Sequence, residues 1–220
     1  MKNLNEYVKD GLFDNIDKLE GKNGLAAQDK QLKKDITEWI CSHYYSQPSE
    51  AKSHLVKKRN LEVDMSTTPP TVSYVPKNIS DNKLCASSNL TSLNNDGMFQ
   101  WSNVEGSFIC FYSKIKTLEG APKEVGEDFD CSYCMYIESL KGAPEKVKNF
   151  KCEKCRNLTS LEGSPKEVRG DFECAYCISL TSLKGAPKEV GSDFVCYGCE
   201  KEFSKEDVKK VCNVKKYIYV

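Results

Sequence analysis

The sequence predicts a protein of the α+β class, in which an N-terminal helical hairpin precedes a solenoid with a short parallel β-sheet and a C-terminal helix-strand cap. The main observation is a motif, L-x-S-L-x-G-A-P-K-E-V-x-x-D-F-x-C-x-x-C, that is repeated four times. Its phenylalanine recurs as Phe129, Phe150, Phe172 and Phe194, at steps of 21, 22 and 22 residues. A fixed period in this range is typical of solenoids, because a single coil cannot bury its apolar face alone. Helical periodicity before the repeats and a serine-capped segment after them complete the prediction.

Composition and charge argue against several classes of protein. In 220 residues, 32 basic side chains balance 32 acidic ones, so no excess charge indicates binding to nucleic acid or to an acidic membrane. No stretch approaches the roughly 20 apolar residues of a membrane-spanning helix. The N-terminus carries charges throughout and lacks the apolar core of a secretory signal. We therefore expect a soluble, cytoplasmic protein of a reducing compartment.

Residues 1–45 are predicted to form the helical hairpin. Apolar residues recur at helical spacing in two stretches, and the sequence GKNG at 21–24 separates them. The first stretch carries Leu4, Val8, Leu12, Ile16 and Leu19, and the second carries Leu32, Ile36, Trp39, Ile40 and Tyr44. A hairpin of this size is too small to be stable alone, so we expect it to dock onto the rest of the chain.

Residues 46–84 are predicted to be a linker followed by strands that start or cap the sheet. SQPSEAKS has linker composition, and the residues after it mix β-branched side chains with prolines. Pro69 and Pro70 cannot lie in a central strand, because proline has no amide hydrogen to donate. One or two edge strands are therefore expected, near 61–63 and 72–75.

Residues 85–200 contain the repeats, and each repeat is predicted to form one coil. The F-x-C alternation indicates a short strand whose phenylalanine and cysteine face inward, followed by a second inward cysteine and two inward leucines. The G-A-P sequence then changes the chain direction, because glycine tolerates positive φ and proline fixes φ. A valine returns the chain to the core through an extended or 3₁₀ segment, since 22 residues leave no room for a full return helix.

Both ends of the solenoid are expected to be closed by apolar residues. Cys85 and Cys110 are assigned to the column of the first repeat cysteine, in degenerate early copies of the repeat. Met98, Phe99 and Trp101, which lie between those copies, are expected to plug the open end of the core. Residues 201–220 are predicted to form the other cap, with a helix that starts at Ser204 and a β-rich VKKYIYV sequence after it.

The cysteines admit three explanations. Eight of the twelve recur in register, as Cys131/Cys134, Cys152/Cys155, Cys174/Cys177 and Cys196/Cys199. Two C-x-x-C pairs could make a tetrahedral zinc site, and pairs of thiols could form disulfides. Positions set by a repeat are more simply explained as packed columns of free thiols, so we expect no metal site and no cofactor.

The repeat is similar to the leucine-rich repeat frame, L-x-L-x-x-N/C-x-L. It most resembles the short bacterial type, in which a proline-containing stretch replaces the return helix, and similar G-A-P-K-E-V repeats occur in uncharacterised tailed-phage and bacterial proteins. The resemblance covers residues 85–200 and implies that the second cysteine of each pair satisfies backbone groups in a turn. The sequence CASSNL (85–90) has the family's spacing, whereas the regular copies insert one residue before the leucine.

The N-terminal sequence MKNLNEYVKDGL resembles a different family. It is similar to the M-K-x-x-x-E-[FY] segments that direct internal head proteins into the proheads of T-even-type phages, where a protease removes the segment after a glutamate. That resemblance implies a phage or prophage origin and a cleavage site at Glu20-Gly21, although Lys18 stands where the family has an aliphatic residue.

The outward residues of the strands are the candidate functional residues. Solenoids commonly bind partners on such a face, and aromatic side chains among acids are typical of protein interfaces. The candidate partner-binding residues are Phe111, Tyr112, Asp128, Asp130, Ser132, Tyr133, Lys151, Glu153, Asp171, Glu173, Asp193, Val195 and Tyr197, with Tyr176 in one column with Tyr112 and Tyr133. The alternative is an ordinary solvated sheet face.

The sequence therefore favours a non-enzymatic scaffold that binds a protein partner, without a catalytic residue. Cys41 and His43 are close in sequence, but a Cys–His nucleophile needs a third orienting group that the surrounding sequence does not supply. Two alternatives are a structural or packaged virion protein and a C-x-x-C module stabilised by zinc.

Overall fold

The computed structural model describes residues 22–45, 56–75 and 82–220. The first half of the predicted hairpin and the 46–55 part of the linker lie outside the described residues. Within the described residues there are two α-helices and a predominance of β-strands. None of these helices combines the length and the apolar character that crossing a membrane requires.

Helix α1 (Lys22–His43) is the second helix of the predicted hairpin. It begins inside the sequence where a glycine turn was expected. Its buried residues are those that the helical spacing predicts: Leu32, Ile36, Trp39 and Ile40. Tyr44 was wrongly placed on this helix, because the chain becomes extended there and forms strand β1 (Tyr44–Tyr45). The extended chain there pairs antiparallel with residues 85–86, and the buried Tyr44 hydroxyl donates a 2.6 Å hydrogen bond to the Leu93 carbonyl.

Three short strands form a small separate sheet. Strands β2 (Leu61–Asp64) and β3 (Thr71–Tyr74) are antiparallel, and β5 (Gln100–Trp101) pairs with β3 in parallel. Both predicted strands are present, with both prolines in their connection, but only β2 is an edge strand, because β3 lies between β2 and β5. They do not start the solenoid sheet, whose first strand pairs antiparallel with β1. Val72 and Tyr74 of β3 instead join the buried core at this end of the solenoid, in agreement with the alternative that these strands cap it.

The solenoid is built from two series of parallel strands that make about six turns. The main series consists of β4 (Lys83–Ala86), β6 (Ser107–Ile109), β7 (Glu124–Asp130), β8 (Lys146–Lys151), β10 (Phe172–Glu173), β12 (Phe194–Val195) and β14 (Ile218–Tyr219). The second series joins the first halves of β7 and β8 to β9 (Glu167–Val168), β11 (Glu189–Val190) and β13 (Asn213–Val214). The return segment of each coil is therefore extended, as predicted.

A column of stacked rings runs along the inside of the main series. The column consists of the rings of Phe108, Phe129, Phe150, Phe172 and Phe194, whose neighbouring centroids are 5.2 to 5.6 Å apart and which are all completely buried. Leu84 continues the column at one end and Ile218 at the other. The predicted inward valines and leucines of the repeats are also buried. Burial of one identical set of apolar positions in every coil is what gives the solenoid its continuous core.

Cys85 does not lie in the column of the first repeat cysteine, so that assignment was wrong. Leu84 pairs with Phe108, which places Cys85 beside Ile109 and leaves Ala86 as the counterpart of Cys110. The predicted register would have placed Lys83 in the ring column. Because a slip of one residue exchanges the two faces of a strand, the buried leucine decides the register.

The opposite ends of the solenoid are closed as the sequence indicates. At the first end, Met98, Phe99 and Trp101 are buried, and the Phe99 ring contacts both Trp39 of α1 (5.8 Å) and Trp101 (5.1 Å). At the other end lies helix α2 (Lys205–Val211). Ser204 caps this helix, and the Asp207 carboxylate accepts a hydrogen bond from the Ser204 amide in return. Strand β13 then adds one strand to the second series, and β14 adds one to the main series.

The turn glycines are essential to the stacking of the coils, and Gly142 provides a test. Its φ is +89°, and a Cβ atom there would lie 2.5 Å from the Glu119 amide nitrogen of the preceding coil. We expect Gly142→Ala to lower the free energy of unfolding by at least about 2 kcal/mol, because it adds both backbone strain and a backbone clash. Urea denaturation measures this change.

A matched control for Gly142→Ala is Glu145→Ala, three residues along the same coil. Glu145 is exposed, so its removal is expected to change the free energy of unfolding by no more than about 0.5 kcal/mol. Equal stability of the two variants would show that the coils can separate at Gly142 without cost.

Candidate binding face of the solenoid

The interior of the solenoid is filled by two columns of thiols beside the rings. All twelve cysteines are free. The first column is Cys110, Cys131, Cys152, Cys174 and Cys196, and its members are buried. The second column is Cys134, Cys155, Cys177 and Cys199. In the part of the chain that the structure describes, no group of three or more histidine, cysteine or acidic side chains could hold a metal ion.

The second thiol column satisfies backbone carbonyls of the preceding coil. The Sγ atoms of Cys134, Cys155 and Cys177 donate hydrogen bonds of 3.0 to 3.2 Å to the carbonyls of Cys110, Cys131 and Cys152. Ser113 precedes this column and donates its hydroxyl to the Cys110 carbonyl at 2.6 Å. A thiol is a weak hydrogen-bond donor. Each of these thiols nevertheless contacts a buried carbonyl, and a buried carbonyl without a hydrogen-bond partner would cost free energy. The second cysteine thus has a structural role.

The outward residues of the main series form three columns, as the repeat register predicts. The aspartate column is Ser107, Asp128, Asn149, Asp171, Asp193 and Tyr217. The central column is Ile109, Asp130, Lys151, Glu173, Val195 and Tyr219. The outer column, just beyond the strand ends, is Phe111, Ser132, Glu153, Ala175 and Tyr197.

The side chains of the aspartate column form hydrogen bonds between neighbouring coils. Asn149 donates its side-chain amide to Asp128 Oδ1 at 2.8 Å and accepts the Asp171 amide at 2.8 Å on its own Oδ1. Asp171 accepts the Asp193 amide in the same way at 3.1 Å, and Asp193 accepts the Tyr217 amide at 3.3 Å. These candidate residues therefore hold neighbouring rungs together as well as carrying charge.

The central and outer columns carry half-buried charges. Lys151 Nζ lies 3.2 Å from Glu173 Oε1, and the Ser132 amide donates to Asp130 Oδ1 at 2.9 Å. Glu153 forms no ion pair with any residue that the structure describes. Partial burial, together with the neighbouring charge of Glu173, raises the pKa of the Glu153 carboxyl above its ordinary value of 4.5.

Two outer-column candidates are less accessible than the sequence suggests. Phe111 was expected to be exposed, but it is half-buried, and its ring lies 5.4 Å from that of Tyr112. Ser132 is only 5% exposed, and its hydroxyl accepts the Glu153 amide at 3.3 Å. Tyr197 is 41% exposed, in agreement with the prediction. Tyr197 is therefore the exposed member of this column, whereas Phe111 and Glu153 are half-buried.

A row of residues with left-handed backbone borders the outer column, and we call it the tyrosine row. Its members are Tyr112, Tyr133, Lys154, Tyr176 and Gly198, with φ values between 55° and 69°. The rings of Tyr112 and Tyr133 stack at 4.5 Å, and Tyr176 meets Tyr197 edge-to-face at 5.1 Å. The predicted tyrosine column therefore gives two pairs of contacting rings beside the acidic columns, with Lys154 between Tyr133 and Tyr176. The three outward columns and the tyrosine row together are the sheet face.

Sequence analysis missed three residues of the sheet face. Lys154 stands between Tyr133 and Tyr176 in the tyrosine row, and counting the repeat register across the third coil would have found it. Tyr217 and Tyr219 extend the aspartate and central columns, with 64% and 47% of their surface exposed. The alternation Y-I-Y was the available signal, since Ile218 takes the place of a repeat phenylalanine.

The histidine of the Cys41–His43 pair is engaged within its own helix. His43 Nδ1 lies 2.8 Å from the Trp39 carbonyl oxygen, and its ring stacks on the Trp39 ring at 4.6 Å. Burial raises the pKa of the Cys41 thiol, which opposes formation of a nucleophilic thiolate.

The architecture defines a parallel β-solenoid that carries an acidic and aromatic strip along one side. The chain matches no protein-family model, no curated protein and no solved structure.

Proposed function

We propose that this protein is a non-enzymatic scaffold that binds a host or phage protein through the sheet face. The observation that supports the proposal most is the co-location of exposed tyrosines with half-buried charges on one side of a rigid solenoid. Tyrosine contributes a large apolar area with little loss of side-chain entropy on binding. An acidic border around it gives selectivity through charge complementarity.

The repeat pattern and the N-terminal sequence support a proposal about the origin of this protein and the compartment in which it acts. The repeat frame is similar to short bacterial leucine-rich repeats and to repeats of tailed-phage proteins. The sequence MKNLNEYVKDGL adds a resemblance to phage internal head proteins. We propose a phage or prophage origin and action in the cytoplasm of the bacterial host.

Affinity capture with face variants tests the proposed function. The full chain is immobilised and exposed to host lysate, and bound proteins are identified by mass spectrometry. In a variant with Asp130→Lys and Glu173→Lys, we expect the amount of captured partner to fall at least about tenfold relative to the original protein. The reason is that these changes reverse the charge of the central column.

The control for capture reverses two charges away from the sheet face. Glu138 and Glu145 are exposed acids on other parts of the coil, so Glu138→Lys with Glu145→Lys gives the same change in net charge. Capture is expected to survive this control. Equal capture by both double variants would exclude the sheet face as the binding surface.

A further inference from the structure

We propose that the sheet face recognises an arginine- or lysine-bearing segment of a protein, whose cationic groups lie over the tyrosine row and beside Glu153. This inference rests on the proposed function and specifies the chemistry of its partner. Three independent features of the face carry it: the backbone conformation of the tyrosines, the position of Lys154, and the balance of charge.

The tyrosines are placed where the backbone disfavours them. A left-handed conformation costs a residue with a side chain about 1–2 kcal/mol relative to glycine, and a bulky residue there is uncommon. Gly198 occupies the corresponding position of the last regular coil with a φ of 69°, so the fold accepts glycine at this place. Tyr112 and Tyr176 nevertheless present half-exposed rings at this cost. Such residues are typical of binding surfaces.

The tyrosine row already holds one cation of the protein itself. Lys154 Nζ lies 4.6 Å from the centroid of the Tyr133 ring and 5.4 Å from that of Tyr176, and it donates a 2.7 Å hydrogen bond to the Tyr133 hydroxyl. These distances are those of cation–π contacts. Tyr112, Tyr176 and Tyr197 are 51%, 45% and 41% exposed, so their rings can offer the same chemistry to an external cation.

The charge balance of the sheet face favours a basic partner. The sheet face carries six carboxylates, those of Asp128, Asp130, Glu153, Asp171, Glu173 and Asp193, against three lysines: Lys151, Lys154, and Lys83, which pairs with Ser107 at the start of the aspartate column. Lys151 is paired with Glu173, whereas Glu153 has no ion-pair partner among the described residues. The charges of Glu153 and Glu173 help to raise the pKa of the Tyr197 hydroxyl, after the larger influence of Tyr176. Glu153 lies in the outer column with Tyr197, whose ring meets that of Tyr176 edge-to-face at 5.1 Å, and a carboxylate beside aromatic rings is complementary to a guanidinium or ammonium group.

The test measures binding of two synthetic peptides by fluorescence anisotropy. The first alternates arginine and glycine, and the second replaces each arginine by citrulline, which has nearly the same shape without the charge. We expect the arginine peptide to bind at least tenfold more tightly than the citrulline peptide. We also expect its binding to weaken as salt is raised, because the contacts are between charges.

Single variants locate the binding on the tyrosine row. Tyr176→Gly keeps a residue suited to left-handed backbone, so the fold is retained while the ring is lost; the arginine peptide is expected to bind about five- to tenfold more weakly. Glu153→Gln is expected to weaken it by a similar factor. The control is Tyr136→Ala, which removes an equally exposed tyrosine outside the row and should leave binding unchanged. Thermal unfolding of each variant confirms that it is folded.

Several outcomes would overturn the inference. Equal affinity for the two peptides, or equal loss in Tyr176→Gly and Tyr136→Ala, would show that the row does not recognise cations. Binding of cellohexaose that requires Tyr176, without binding of the arginine peptide, would make the row a carbohydrate surface instead. If the central-column variants lose a captured partner while the arginine peptide does not bind, this inference fails and the proposed function stands. Unchanged capture in those variants overturns the proposed function itself.

Discussion

Raising the pH to about two units above the ordinary thiol pKa of 9.0 is expected to lower the free energy of unfolding of this protein by about 8 kcal/mol. Burial raises the pKa of the Cys110, Cys131 and Cys174 thiols well above that value. The folded state therefore keeps these protons while the unfolded state releases them, and the free energy of unfolding falls as the pH rises. Below pH 9 the contribution of these thiols is fully present.

The size of this effect follows from the number of buried thiols. Each thiol that ionises only in the unfolded state removes about 1.4 kcal/mol of stability per pH unit, so these three remove about 4 kcal/mol per unit. A domain of ordinary stability has about 5–15 kcal/mol to lose. Urea denaturation in the presence of a reductant, repeated from neutral pH to about pH 11, measures the slope.

Cys174→Ala separates the thiol effect from the ionisation of tyrosines and lysines. Alanine is tolerated in this column, since Ala86 is its member in the first coil. The slope of unfolding free energy against pH should become shallower by about 1.4 kcal/mol per unit. Cys41→Ala removes a half-buried thiol and serves as the control, with a smaller expected change. An unchanged slope in Cys174→Ala would show that this thiol is not held protonated by the fold.

Removal of a central ring of the phenylalanine column is the second large effect. Phe150 is completely buried between Phe129 at 5.5 Å and Phe172 at 5.6 Å. We expect Phe150→Ala to lower the free energy of unfolding by about 3–5 kcal/mol, because the rings above and below cannot close the cavity. Chemical denaturation followed by circular dichroism measures the loss.

The matched control is Phe150→Leu. Leu84 fills the same column in the first coil, so a leucine side chain suits its geometry. The expected loss is below about 2 kcal/mol, since most of the apolar volume is kept. If both variants unfolded at the same denaturant concentration, the retained apolar volume of leucine would stabilise nothing, and the cavity explanation of the Phe150→Ala loss would be wrong.

The regular repeats were predictable because their register repeats in the sequence. Once Phe129 and Phe150 are aligned, the inward cysteines, the turn glycines and the outward columns follow by counting. The candidate face residues Asp130, Lys151 and Glu173 consequently lie side by side as expected. Membership of the leucine-rich repeat family and the helix within residues 1–20 stay predictions.

The irregular copies were not predictable by motif matching. Cys85 was aligned with the repeat cysteines because cysteine is the most recognisable letter of the motif, whereas the structure aligns Leu84 with the rings. Tyr44 has the spacing of a helix face, but the chain there is extended and pairs with Ala86 of β4. In both places a contact distant in sequence overrides the local pattern.

By itself, the sequence determined the repeating coil, the identity of its buried columns and the line of residues on the sheet face. These follow from a period that fixes which side chain faces the core in each coil. Only the tertiary structure decided the register of the first coil, the small separate sheet, the left-handed backbone of the tyrosine row and the placing of Lys154 between two rings. These depend on contacts between neighbouring coils, and such contacts are set by the fit of side chains and backbone in three dimensions.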